Sequence, residues 1–189
     1  RALKGAMLRQ EVYALDGTAK AEHPYVVREQ HFTIRVLQPR AGNRHAVFFT
    51  HAREAIDYHY ERNPTDPRIQ HALTLEVDDF GNVLKEAAIA YGRRHPDMDL
   101  SMEDRAKQMQ ALITYTECQV TNAIDTADDY RAPLPCETRT YELTGYTPTG
   151  PAGRFESGDF VQPDPGDPDG GKGALSFDGE IQYEDRAGN

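Results

Sequence analysis

Leu73-Thr74-Leu75-Glu76-Val77-Asp78-Asp79-Phe80-Gly81-Asn82-Val83 decides the architecture. Leu73, Leu75 and Val77 alternate with Thr74, Glu76 and Asp78, the period of a strand with one dry face and one wet face. Asp78-Asp79-Phe80-Gly81-Asn82 then replaces alternation with turn chemistry. Glycine reaches positive φ without steric cost, and Asp and Asn side chains hydrogen-bond their own backbone. A second strand-like run, Val83–Tyr91, follows, so the whole reads as a hairpin. The Asp-x-x-Gly-Asn spacing returns at Asp185-Arg186-Ala187-Gly188-Asn189, after a strand-like Glu180–Glu184. Asp78, Gly81 and Asn82, with Asp185, Gly188 and Asn189, are therefore the turn residues expected to shape the sheet. The second turn has no returning strand and the chain has no initial Met, which leads us to expect a segment of a longer protein.

Alternation recurs on both sides of this hairpin. Phe32, Ile34 and Val36 alternate with His31, Thr33 and Arg35 within Val26–Gln38, and Ile56, Tyr58 and Tyr60 alternate with Asp57, His59 and Glu61. These are expected to be half-buried strands, apolar on one side. Gln10–Leu15, Ala46–Thr50, Leu112–Asn122 and Glu137–Thr144 also read as strands; the β-branched Thr114, Thr116, Val120 and Thr121 favour strand over helix in the third. Turn signals separate them at Asp16-Gly17, Pro39 to Asn43, Asn63-Pro64 and Asp66-Pro67. One helix is expected, from Ser101 to about Ala111, opened by the capping box Ser101-Met102-Glu103-Asp104. The fold class is thus mainly β: an antiparallel meander or curved sheet with one short helix near 101–111. Residues 1–145 form its body. Residues 146–175 form a Pro/Gly/Asp-rich mobile loop, with Arg154–Val161 touching the body, and 176–189 form a strand and turn returning to the sheet.

Composition narrows the function. The hydrophobic fraction of 38% is below the ~45–50% of average domains (a count that includes Gly), and mean hydropathy is −0.72. A thin, much-exposed architecture fits both values. Net charge is −10, which repels phosphate backbones and argues against nucleic acid. From Cys136 to Asn189 there are four basic and eleven acidic residues, so the tail carries seven of the ten net negative charges. No run approaches the ~20 apolar residues of a membrane helix. Cys118 and Cys136 do not make a disulfide framework, and their pairing stays open.

His45, His51, His59 and His71 lie near Glu54 and Glu61, but their spacings of 6, 8 and 12 match no short metal-ligand pattern. Asp164, Asp167 and Asp169 miss the spacing of a calcium loop. No Gly-x-Ser-x-Gly elbow, phosphate loop or dinucleotide fingerprint occurs. No catalytic, metal or cofactor site is therefore expected. Ten tyrosines and no Trp suit β surfaces, and a sugar-binding platform is the functional alternative.

The turn motifs are similar to those of RHS/YD repeats. Longer stretches are more specific: Arg9-Gln10-Glu11-Val12-Tyr13-Ala14-Leu15-Asp16-Gly17, Tyr58-His59-Tyr60-Glu61-Arg62, Asp66-Pro67-Arg68-Ile69, Leu75 to Val83, and Pro133-Leu134-Pro135-Cys136-Glu137-Thr138-Arg139-Thr140-Tyr141-Glu142. With Asn43-Arg44-His45-Ala46-Val47-Phe48, they resemble the middle-to-C-terminal region of the B component of bacterial insecticidal toxin complexes, the TcdB/TcaC-type, SpvB-related family. The resemblance is dense over about 1–145 and returns at Glu180–Glu184.

It implies a non-catalytic strip of a secreted β-sheet shell. The shell, built with an RHS-type C component, encloses that component's cytotoxic part until a pore-forming A component delivers it. No small-molecule substrate is implied. Some relatives carry an ADP-ribosyltransferase domain, which needs a Glu-x-Glu pair; none occurs in this sequence, and that activity is not carried over. The alternative is a carbohydrate-binding β module of a secreted protein. An open turn at Asp185–Asn189 also leaves an unpaired edge. The isolated chain is therefore expected to self-associate through β contacts, and size-exclusion chromatography giving a clean monomer at high concentration would count against this.

Overall fold

A computed structural model describes residues 2–163 and 172–174. Nine strands and a helix follow one another: β1 (Arg9–Val12), β2 (Val26–Gln38), β3 (Val47–His59), β4 (Arg68–Val77), β5 (Val83–Ala90), α1 (Met102–Met109), β6 (Leu112–Val120), β7 (Ile124–Asp125), β8 (Tyr130–Arg131) and β9 (Pro135–Leu143). A further pair, β10 (Val161–Pro163) and β11 (Lys172–Ala174), closes the described chain. Seven strands form one antiparallel sheet in the order β1-β2-β3-β4-β5-β6-β9. Each neighbour is the next sheet strand in the chain, the mainly β meander expected from the alternation. The strand read at Glu180–Glu184 and the turn at Asp185, Gly188 and Asn189 lie outside the described residues.

The chain divides into two compact units. The first takes the chain up to Ala72 together with Ala90–Ala111; the second takes Leu73–Ile89 and the described residues from Leu112 on. In the first, Val27, Ile56 and Tyr58 form the buried cluster, flanked by Tyr60 and Ile69. Val27 stands opposite Tyr58, and Ile56 opposite Glu29, so all three project from one face of the β2–β3 pair. In the second unit, Tyr115 stands opposite Tyr141 and Ile113 opposite Leu143. All four are buried. Phe155 and Phe160 are also buried, their rings 5.5 Å apart, with Tyr146 stacked on Phe160 at 5.8 Å.

Two departures from the sequence reading have a physical cause. Ala46–Thr50 and Ile56–Glu61 were expected as separate strands, but one continuous strand, β3, runs from Val47 to His59. His31 pairs with Glu54 and Phe32 with Ala52, which leaves Arg53 as an extra, bulged residue. A bulge shifts the period-two pattern by one, so a single strand reads as two. The second departure concerns Phe32, Ile34 and Val36, expected on the dry side of β2. They lie on the face opposite Val27, and Ile34 and Val36 remain 47% and 56% exposed. The alternation was legible; what covers it was not.

The helix forms as its box predicts. Ser101 Oγ accepts the Asp104 backbone N–H at 3.1 Å, and Glu103 and Lys107 pair at 2.8 Å. It has no buried residue, so caps and the i,i+4 pair hold it, not core packing. Its last turn is docked through Arg93, whose N–H donates to the Gln108 carbonyl at 2.7 Å. Docking requires Gly92, because a Cβ there would fall 2.0 Å from the Met109 carbonyl oxygen. Replacing Gly92 by Ala should push the helix off and cost about 1–3 kcal/mol, as overpacking does. An unchanged urea midpoint for Gly92→Ala would exclude this close approach.

Candidate functional site

A dense polar constellation lies in the connection from β3 to β4, residues 60–67. Glu61 and Arg62 both take left-handed backbone, φ 50° and 63°, an arrangement rare for residues with a Cβ. It is held from both sides. The N–H groups of Tyr60 and Glu61 donate to the Tyr25 carbonyl at 2.9 and 3.0 Å, and that of Arg62 donates to the Pro24 carbonyl at 3.1 Å. The Arg62 guanidinium turns back over the segment after β1. It donates to Asp16 Oδ2 at 2.7 Å and Oδ1 at 3.2 Å, and to the Lys20 carbonyl at 3.2 Å, while lying 5.5 Å from the Tyr25 ring centre. A planar fork suits this paired recognition of a carboxylate; a lysine does not.

Asp66 works in the other direction. It is buried, and it accepts from Arg93 Nε at 2.9 Å and from the backbone N–H groups of Arg94 and His95 at 2.9 and 3.4 Å. Burial pushes its carboxyl up, but the Arg94 N–H, the Arg93 charge and the His95 N–H outweigh burial and leave it below its ordinary value. One loop therefore fastens two distant stretches, 16–25 through Arg62 and 93–95 through Asp66.

A second polar centre sits across the strands. His71, its side chain fully buried, has Nε2 3.0 Å from Glu54 Oε1 and Nδ1 2.9 Å from the Tyr91 hydroxyl. Glu54 Oε2 also meets His31 Nδ1 at 3.1 Å. An ionised Glu54 only accepts, so His71 Nε2 carries the proton, and in the neutral ring Nδ1 then accepts from Tyr91. The tautomer follows from this network. Both ring nitrogens are engaged and the ring is fully buried, so the group locks strands together. His45 and His59 do not join it. Among the described residues no three or more His, Cys, Asp or Glu form a metal-holding group.

The first Asp-x-x-Gly-Asn turn is also self-contained. Asp78 Oδ1 accepts the N–H groups of Phe80 at 2.9 Å and Asn82 at 2.8 Å, and Oδ2 accepts Asn82 Nδ2 at 2.8 Å. Gly81 sits at φ 91°. Asp78, Gly81 and Asn82 thus close the loop between β4 and β5, whereas Asp185, Gly188 and Asn189 are not described. The tyrosines that stack do so internally: Tyr58 on Tyr60 at 5.8 Å, and Tyr91 on His71 at 6.0 Å. Cys118 and Cys136 are both free.

Neither Arg62 nor Asp66 was assigned a role from sequence. The turn signal Asn63-Pro64-Thr65-Asp66-Pro67 marked the place, but their partners are tens of residues away. The Glu54–His71 pair was hidden for a related reason, since only strand register brings those positions together.

Residues 1–134 match the family described as the insecticide toxin TcdB middle/C-terminal region. The chain belongs to this family. Solved structures agree. The chain is similar to TcdB2-TccC3 (28% identity, TM-score 0.60, covering 72% of this chain and 7% of that one). It is also similar to TcdB2-TccC3-Cdc42 (29%, 0.62, 74% and 7%). The Photorhabdus luminescens Tc holotoxin pore matches as well (28%, 0.60, 74% and 7%). The chain thus spans about 7% of the length of the solved chains it matches. No curated protein matches. No helix among the described residues is long and apolar enough to cross a membrane. The chain is thereby a region of a toxin-complex B component.

The Asp16 carboxyl is held at about 2 by the Thr18 N–H first and then by Arg62. Its folded value lies below its unfolded one of about 3.9, so its contribution is complete above that value and fades as pH falls toward 2. Wild type should exceed Asp16→Asn in stability at neutral pH and converge with it in acid; parallel acid limbs in urea titrations would remove Asp16 from the account. Asp66→Ala leaves two backbone N–H groups unpaired and should cost about 1–3 kcal/mol, read as a lowered urea midpoint.

Proposed function

We propose that this chain is a non-catalytic wall segment of the B component, part of a β-sheet shell. With an RHS-type C component, the shell encloses the cytotoxic part of C until delivery through a pore-forming A component, in a secreted complex. The observation that carries this reading is the family match over 1–134 combined with an open antiparallel sheet in sequential order. Similarity to TcdB2-TccC3 and to a Tc holotoxin pore supports a C component and an A component as partners. The polar chemistry supports it too. The buried Asp66 and His71 are engaged in fastening loops and strands, which is what a wall needs.

The test is co-purification of the parent chain with an RHS-type C component, with and without residues 1–145. Loss of the protease-resistant complex on deletion is the expected result. A complex that forms and protects its cargo regardless would overturn the wall reading and make the segment an appended module.

A further inference from the structure

We infer that the outer edge of β2, from Phe32 to Gln38, accepts an extended segment of a protein partner as an added strand, with side chains alternating apolar and acidic. This refines the wall reading and rests on it for its place in the assembly; the binding test below does not depend on it.

β1 covers β2 only from Val26 to Glu29. Past that point the Gln30 N–H donates to the Leu8 carbonyl at 2.9 Å. β2 then runs on to Gln38, paired with β3 on its inner side. Among the described residues no strand pairs with its outer side beyond Glu29. Since the Gln30 N–H points outward, alternation turns those of Phe32, Ile34 and Val36 outward as well. A row of outward backbone groups is a template for another strand.

The faces give the occupant its chemistry. On one side of this edge, Phe32, Ile34 and Val36 form an apolar row, extended across the hairpin by Phe48, which is 39% exposed. On the other side stand Thr33 and Arg35, with Arg35 5.1 Å from the Phe49 ring centre. A strand laid along this edge places every second side chain on the apolar row and the others beside Arg35.

The local charge selects acids for that second set. Residues 31–53 hold four arginines and three histidines and no acid, and the acids at their margins are engaged, Glu29 by Arg9 and Glu54 by His31 and His71, within a chain of net charge −10. Where the free edge begins there is a cleft of about 580 Å³ between Leu3, Leu8 and Phe32, with Arg53 and the paired Arg9 and Glu29 at its walls. It suits an apolar side chain anchoring one end of the strand.

A second copy of this chain fits poorly, because edge-to-edge pairing would set one group of arginines against the same group. Nucleic acid leaves the apolar row without a role and meets the repulsion of the whole chain. Arginine around exposed aliphatic and aromatic residues, without lysine, is the composition of a protein interface.

The probe is a capped, fluorescent decapeptide alternating Val and Glu, titrated against the whole chain by anisotropy. Its Val/Lys counterpart, a DNA oligonucleotide and anionic phosphatidylglycerol vesicles are run alongside. The Val/Glu peptide should bind, and the Val/Lys peptide at least about ten-fold more weakly. Ile34→Pro removes an outward N–H that makes no bond to β3, a change an edge strand tolerates, and should abolish binding. Arg35→Glu should weaken the Val/Glu peptide and improve the Val/Lys one, a reversal that mere misfolding could not produce. Equal binding of the two peptides, binding of neither, full binding to Ile34→Pro, or preference for DNA or vesicles would each overturn the inference. Failure here with an intact C-component complex would leave the wall reading standing.

Discussion

The ion pair between Arg62 and Asp16 and the buried carboxylate of Asp66 share one short loop, and the first unit is organised around it. Neither stretch they fasten has a strong structural preference of its own. The segment after β1 is turns and coil, and 93–95 is the irregular approach to a helix that buries nothing. Without those side chains, ordering these stretches would cost conformational entropy with little burial to offset it. The left-handed backbone at Glu61 and Arg62 is the local expense of aiming the guanidinium backward. Strain of this kind persists only where its surroundings over-determine it, here through three backbone bonds to Pro24 and Tyr25.

How much of this could be read from the residues follows a simple division. Strands and the helix were legible because their signals are local: period-two alternation in Val26–Gln38, which matches β2 end to end, and a capping box at Ser101. The turn at Asp78–Asn82 was legible for the same reason. The bulge at Arg53 was not, because an extra residue is visible only against the partner strand. Nor were the two-residue strands β7 and β8, which are too short to show a period. Arg62, Asp66 and the Glu54–His71–Tyr91 centre all depend on register and loop path, which one sequence does not contain.

The low hydrophobic fraction has a physical counterpart in how the polar groups are used. Small apolar clusters hold each unit, and within each unit buried or half-buried charges satisfy backbone donors. Such charges destabilise when left single and are tolerated when fully met. A buried imidazole is met in the same way, through side chains: the two nitrogens of the fully enclosed His71 bridge Glu54 and Tyr91. A sheet with little oil in it gains specificity from groups that fit in only one register.

The sequential order of the sheet also bears on how the chain is made. Every sheet strand through β6 pairs with the one before it, and β9 joins β6 after the small excursion of β7 and β8. Ring closures are therefore short, and short closures form early and fast. A ribosome delivers about 5–20 residues per second, slow against the microseconds of hairpin formation. Each strand thus finds its neighbour already in place as it emerges, and a sheet of this order can be laid down like courses of brick, without waiting for its last strand to be synthesised.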